Sequence, residues 1–402
     1  MKITKKVSRR PSLLVFLLCA SVVNITAQDF KTVHDGVEYA QVIRKLGSDP
    51  VKINLLRLDL KKVRLDVHHA MDAAIGTEKT SSIATRHGAV AAINAGFFRL
   101  DKSKFAGDAA AMLMIDGDLL SENLNDRVIL QIDNMKKATN VFVGRSLINT
   151  WFGFGGSATQ VKLSGLNRER KNDEFLLYGP SFGRTTLVDQ EGIDIVLSKC
   201  RRTFKHTYRP IECRKAEVIT DAANTPIPAD GYVISISPGD FKQKRLLLSD
   251  LGMYRSDKSR NKTFFLRFED ANTFYFPAKN EDIVAGVPQL IKNGKIDITW
   301  EQEKASKGFA ETRHPRTAVA KLKDGKFLMI TVDGRQPGVS VGMNLQELAE
   351  YLFSLGAVDA MNLDGGGSTT MFLDGKVVNT PSDKEGERKI GDAILVTLRT
   401  KR

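Results

Sequence analysis

The stretch AMNLDGGGSTTMF, residues 360–372, sets an amide, Asn362, and a carboxylate, Asp364, two positions apart, then runs through Gly365, Gly366 and Gly367 to Ser368. Alternation along a strand puts Asn362 and Asp364 on one face, so both leave a sheet together at a strand's C-terminal end. A carboxylate placed there can act as nucleophile or as general base for water, and an adjacent amide can orient a substrate. Each glycine costs backbone entropy, roughly 0.5–1 kcal/mol relative to alanine in a regular element, so bare backbone must serve a purpose. Two purposes fit: an anion-binding concavity of successive N–H groups, or a tight strand-to-strand corner.

Two more segments carry charge on a turn-rich backbone. VDGRQPGVSVG holds Asp333, Arg335 and Ser340 among Gly334, Gly338 and Gly342, and RHPRTAVA places Arg313, His314 and Arg316 just ahead of a strand. A guanidinium matches phosphate through a planar donor fork that stays charged. By residue type His314 is the proton-transfer candidate, with structural hydrogen bonding as the alternative. INAGFF adds Asn94 and Gly96, then Phe97 and Phe98, which either wall a pocket or fill a core. A buried Asn94 would need partners for its donors and acceptors. PSDKEGER, with Ser382, Asp383, Glu385, Glu387 and Arg388, reads as a polar loop closing on the same place.

Taken together, the chemistry falls to Asp364, Asn362, His314 and Asp333, and binding of a phosphate-bearing ligand to Arg316, Arg335, Arg388, Asn94, Gly96, Ser340, Ser368 and the glycines 365–367. No cofactor is required by these residues. If a cation is present, Asp364, Asp333 and Asn362 would be oxygen ligands for Ca2+ or Mg2+, and hydrolysis would then occur at phosphorus. A non-catalytic envelope protein binding anionic glycans through the same basic cleft is a third reading.

The elements that must hold these residues are mostly strands. Asp116-Gly117, Asn293-Gly294, Asp324-Gly325 and Asp374-Gly375 are tight-turn pairs between short apolar runs, and TAVAKLKDGKFLMITV and TTMFLDGKVVN are the clearest hairpins. One helix is well marked in NLQELAEYLFSLG. Asn344 and Glu347 form a capping box, Leu345, Leu348, Ala349 and Leu352 make an apolar face, and Gly356 ends it. It feeds the strand AVDAMNLD. SSIATRHGAVAAINAGFF suggests a second short helix before a buried strand. Strand, helix and strand in succession among hairpins predict an α+β fold, a mixed, hairpin-rich sheet core with a few packed helices.

The chain has 402 residues and a formal charge of +13. Lys2, Lys5, Lys6, Arg9 and Arg10 precede the apolar run LLVFLLCASVV, too short to span a bilayer, and small Ala27 closes a cleavage site. Residues 1–27 therefore read as a signal peptide. Leu18 before Cys19 argues against a lipoprotein. Export to the periplasm, cell surface or medium is expected, with no stable transmembrane anchor. Loss of the five basic residues leaves about +8, which suits an anionic substrate or polymer, or merely a solvated surface. No nucleic-acid partner is expected, and oligomeric state is left open. Residues 28–87 read as a β-rich lead-in and 88–402 as the main domain, with a variable segment at about 130–280. Within it Cys200 and Cys213 flank a basic excursion carrying Arg201, Arg202, Lys205, Arg209, Arg214 and Lys215, read as a solvated hairpin that an oxidising compartment could staple.

Taken in order, INAGFF, AGVPQLIKNG, HPRTAVA, VDGR, NLQELAEYLFSLGA, MNLDGGGSTTM and NTPSDKEGER resemble the phosphodiester glycosidase family over roughly residues 88–398. Two departures from the family pattern are Val287, where a glycine usually precedes Pro288, and Ala320, where a glycine commonly follows the RTA run. The resemblance implies cleavage of a sugar from a phosphodiester at the anomeric C–O bond.

Overall fold

The computed structural model describes residues 28–154, 160–202, 210–237, 263–270 and 281–399. The signal segment lies outside the described residues, as do Lys205 and Arg209.

Local turn chemistry sets the hairpins. Asp116-Gly117, Asn293-Gly294 and Asp374-Gly375 have positive φ at both positions, the primed turn that matches strand twist. At Asp324-Gly325 only the glycine is left-handed, at +84°. There the turn is wider, with Gly325 N–H donating to the Leu322 carbonyl at 3.0 Å and Leu322 N–H to Lys326 at 2.9 Å.

These hairpins assemble mainly into sheets, which corrects the expected α+β class to a mainly-β fold. The described helices are Thr80–Arg86, Lys307–Glu311 and Leu345–Ser354, besides two short 3-10 turns. The strand–helix–strand succession was the wrong guide because most other connections are tight turns that return the chain to a sheet. No described helix is long and apolar enough to cross a membrane.

The central sheet runs Lys31–His34, Val37–Leu46, Asp49–Leu58, Phe327–Val332, Arg316–Leu322, Ala357–Asn362, Gln289–Lys292 and Lys295–Ile296, antiparallel throughout. Period-two alternation gives it two apolar faces. Leu56, Leu58, Val319, Met329 and Met361 enter one core, while Ile53, Leu55, Ala318, Ala320 and Ile330 enter another. The second core is covered by helix Leu345–Ser354, whose Leu345, Leu348, Ala349 and Leu352 are buried and whose Asn344–Glu347 capping box is formed. A five-stranded sheet contains Val63–His69, Asp392–Leu398 and Ala91–Asn94 side by side. Another eight-stranded sheet is drawn wholly from residues 148–270. In it Cys200 and Cys213 face one another across an antiparallel pair and are disulfide-bonded.

Register brings the chemical segments together. Arg316 pairs with Val332, and Ala318 with Asn362, so the start of one strand meets the ends of both neighbours. RHPR, VDGR and DGGGS thus emerge at one end of the central sheet.

Candidate active site

The backbone of Asp364 is fixed by the end of strand Ala91–Asn94. Its N–H donates to the Ala95 carbonyl at 2.9 Å, and its carbonyl accepts from Asn94 Nδ2 at 2.7 Å. Asn94 Oδ1 in turn accepts from Thr317 Oγ1 at 2.7 Å and from Thr370 N–H at 3.0 Å. Asn94 is fully buried, so the expectation that it touches ligand gives way to a clamping role behind Asp364. Gly96 donates its N–H to Asp392 Oδ1 at 2.5 Å.

The three glycines are explained by what crowds them. A Cβ on Gly365 would stand 2.6 Å from the Pro315 carbonyl oxygen. Gly366 has φ of +61°, and a Cβ there would lie 3.1 Å from Arg335 Nη2. A Cβ on Gly367 would collide with the guanidinium of Arg388 and the carboxylate of Asp383. Bare backbone therefore admits two guanidiniums against the turn that follows Asp364.

Those two arginines differ in tether. Arg388 is gripped by Asp383, Nε to Oδ2 at 2.7 Å and Nη2 to Oδ1 at 3.0 Å. The exposed Arg335 has no hydrogen bond or ion pair among the described residues. Arg316 is unlike either. Only 1% exposed, it donates Nε to the Met343 carbonyl at 2.9 Å and Nη2 to the Phe309 and Thr312 carbonyls at 2.7 and 3.0 Å. Burial, then the charge of Arg335, lowers Arg316 to about 10. Most of its fork is committed to backbone, which argues against the expected phosphate contact. Half-buried His314 is held below the usual imidazole value by burial and then by Arg316 and Arg335, so it is neutral near pH 7.

Asp364 remains partly accessible, yet desolvation by the surrounding protein pushes its carboxyl up to about 7. Opposing that rise are the Ser368 hydroxyl, the Arg388 charge and the Gly365 N–H, while the Asp392 charge adds to it. A carboxyl at that value can take or give a proton near neutrality. Asn362 lies behind it, buried, with Nδ2 donating to the Val287 and Leu363 carbonyls at 2.7 Å each. Its Oδ1 is buried without a partner, as are Thr369 Oγ1, Thr370 Oγ1, Ser382 Oγ and Asp392 Oδ2. Native interiors leave few such atoms, so a group of them around one loop marks a place for water or ligand.

Asp333 and Ser340 do not join this group of open atoms. The Asp333 side chain has no exposure. Its carboxylate accepts from Asn379 Nδ2 at 3.1 Å and from Thr380 N–H at 3.0 and 3.1 Å, with Lys52 Nζ 3.8 Å away. Buried Ser340 donates to the Asp333 carbonyl at 2.5 Å and accepts from Lys52 N–H at 2.9 Å. Both fasten the VDGR loop, so the expected catalytic and ligand-contact roles give way to structural ones. With both Asp333 oxygens facing donors, the Asp364–Asp333–Asn362 set is poorly disposed to hold Ca2+ or Mg2+.

A family profile described as phosphodiester glycosidase matches residues 215–397. Over that segment the chain is similar to the phosphodiester glycosidase family. It is 38% identical over 214 residues to mouse N-acetylglucosamine-1-phosphodiester alpha-N-acetylglucosaminidase, 49% of this chain and 39% of that protein. The human enzyme of that name is 37% identical over 111 residues, covering 25% and 21%. The chain thus spans well under half the length of these curated relatives. A hypothetical protein from Synechocystis superposes with TM-score 0.70 at 20% identity over 94% of this chain and 64% of its own. A Burkholderia pseudomallei protein gives 0.69 at 22% over 87% and 74%. At those identities the likeness is one of fold.

Asp364, Arg335 and Arg388 lie inside the segment matched as phosphodiester glycosidase, whereas Asn94 and Gly96 lie outside it. Sequence reasoning missed Asp392 and Phe309. Asp392 is a fully buried acid on the core face of strand Asp392–Leu398, in step with buried Ile394 and Val396, and that misplaced charge was the available signal. Phe309 meets partly exposed Phe97 edge-on at 6.0 Å and lies under Arg316 at 4.8 Å. Phe98 instead packs against Gly391.

Proposed function

We propose that this domain hydrolyses a sugar-1-phosphodiester between the anomeric carbon and the bridging oxygen, releasing free sugar and a phosphomonoester. The observation that carries this reading is the Asp364 carboxyl, poised at about 7 on a fixed backbone, followed by a turn packed against Arg335 and Arg388. Ionised Asp364 attacks the anomeric carbon or takes a proton from the attacking water. The leaving phosphate carries its charge away on its own oxygens and needs little help from an acid, so holding it falls to Arg335 and Arg388. Neutral His314 serves as hydrogen-bond partner or proton acceptor, Asn362 holds the strand end, and Phe97 offers an aromatic wall for a sugar ring.

N-acetylglucosamine is the first sugar to test, because the curated relatives are named for it. We place the protein outside the cytoplasm, on the basic and apolar N-terminal run and the Cys200–Cys213 bond. No cation has a step in this mechanism.

The test is product analysis with a methyl N-acetylglucosamine-1-phosphodiester in heavy-oxygen water, with and without Ca2+ or Mg2+. Label on the sugar, with methyl phosphate released, is the expected result. Label on phosphate would show attack at phosphorus. Binding without turnover would point to a glycan-binding protein.

A further inference from the structure

A second cluster lies apart from the glycine loop. His68 is the penultimate residue of the strand Val63–His69, Asp72 follows in the next turn, and His87 caps helix Thr80–Arg86. One ligand atom from each lies within 4.8 Å of the other two, the single such group among the described residues. They border an open cavity of about 320 Å3 that also touches His69, Asp116 and Ser181. Met71 and Asp72 both hold left-handed backbone, φ 58° and 53°, and Asp72 Oδ1 lies 3.0 Å from His87 Nε2.

We propose that His68, Asp72 and His87 form a site for a divalent transition cation of the zinc class. Two imidazole nitrogens and one carboxylate oxygen are the donors such ions favour over Ca2+ or Mg2+, and three protein ligands with an open fourth position describe a zinc site that keeps a water. The cavity supplies the open side. A cation already stands there: Arg86 Nη1 lies 3.0 Å from His87 Nε2 and contacts Asp72. Glu78 also holds Arg86, through Nη2 at 2.9 Å, and gives the guanidinium a place to retire when a metal enters. The imidazoles of His68 and His87 are stacked at 3.7 Å with 24° between planes, so metal entry must splay them. Since the residue beside His68, His69, pairs in register with Asp392, an occupied site would also brace the strand behind the glycine loop.

The tag-free protein, stripped of metal with a chelator, is titrated with Zn2+ by calorimetry and with Co2+ by visible absorption. One equivalent should bind, with cobalt bands of a four-coordinate site. His68→Ala and His87→Ala should each weaken binding by about tenfold or more and abolish those bands. Arg86→Gln should tighten binding, because the competing guanidinium is gone. Thermal melts identify any variant that fails to fold, and for such a variant exposed Asp72→Asn replaces it with the same expected weakening. Absence of stoichiometric binding, or equal affinity in the wild type and folded His variants, overturns the proposal.

Discussion

Two loops of this molecule read alike and behave oppositely. Each leaves a central strand with an acid followed by glycine, Asp333-Gly334 after Phe327–Val332 and Asp364-Gly365 after Ala357–Asn362. At Asp333 the protein supplies donors to both oxygens and closes off solvent. At Asp364 it fixes the backbone, leaves the residue partly open, and sets unpartnered hydroxyls nearby. Burial raises both carboxyls, but only Asp364 keeps some exposure. Residue type and spacing nominate an acid, while its neighbours decide between anchor and reagent.

Placing asparagine at both positions is the strongest way to break that contrast. Asp364→Asn keeps size and shape but can neither attack nor accept a proton, so kcat should fall by at least about a hundredfold with the fold intact. Asp333→Asn should leave turnover close to wild type. Steady-state kinetics on proteins checked by thermal melt decide it: equal losses at both sites would make Asp333 a reagent after all.

The arginines sharpen the same distinction. Arg335→Lys keeps charge but loses the planar fork at an exposed position against Gly366, so phosphodiester hydrolysis should lose on the order of 1.5–3 kcal/mol of transition-state stabilisation. Residual hydrolysis of an uncharged aryl glycoside should change far less. Arg316→Lys should instead lower the melting temperature, since the carbonyls of buried Met343, of half-buried Phe309 and of Thr312 lose the donors of a buried guanidinium. A selective loss of phosphodiester activity in Arg316→Lys without destabilisation would return that residue to the binding site.

Asp333→Ala tests the anchor. It leaves one proton of the buried Asn379 amide unmet, at a cost of about 1–3 kcal/mol, while the Thr380 N–H, on an exposed residue, can turn to water. The transition should shift to lower denaturant with the slope unchanged. An unshifted midpoint would show that water satisfies the loop.

What could be read from sequence was local. Turn pairs and the Asn344–Glu347 cap are set by residues within a few positions of one another, and so are visible in a string of letters. Asn362 and Asp364 were legible because a strand's period fixes which side chains leave together. The clamp from Asn94 to Asp364 joins residues 270 positions apart, so Asn94 looked like a ligand contact rather than a support. Arg316 and Ser340 misled for a related reason: burial and backbone partners, which spacing does not encode, turned recognition chemistry into scaffolding. The hairpin-rich sheet and the few helices were legible, but the α+β class overweighted the helices, because one well-capped helix is a louder local signal than many short strands.

The smallest effect isolates the titration of Asp364. Its carboxyl is raised from 3.8 to about 7 in the folded protein, chiefly by burial, so between those values the folded state holds a proton that the unfolded chain has released. Stability from this group is therefore greatest at low pH and declines as pH rises through the window, levelling above about 7. Asp108 and Asp282, each also pushed up to about 7, titrate in the same range and mask it in wild type alone. Subtracting the stability profile of Asp364→Asn from that of wild type removes their contribution. The difference should fall from about pH 4 to 7, while wild-type kcat/KM rises through about 7 as the reactive carboxylate forms. Asp392→Asn should move that activity limb to lower pH, because the Asp392 charge helps to hold Asp364 up. A flat stability difference, or an activity limb unmoved by Asp392→Asn, would mean that the group controlling catalysis lies elsewhere in the cleft.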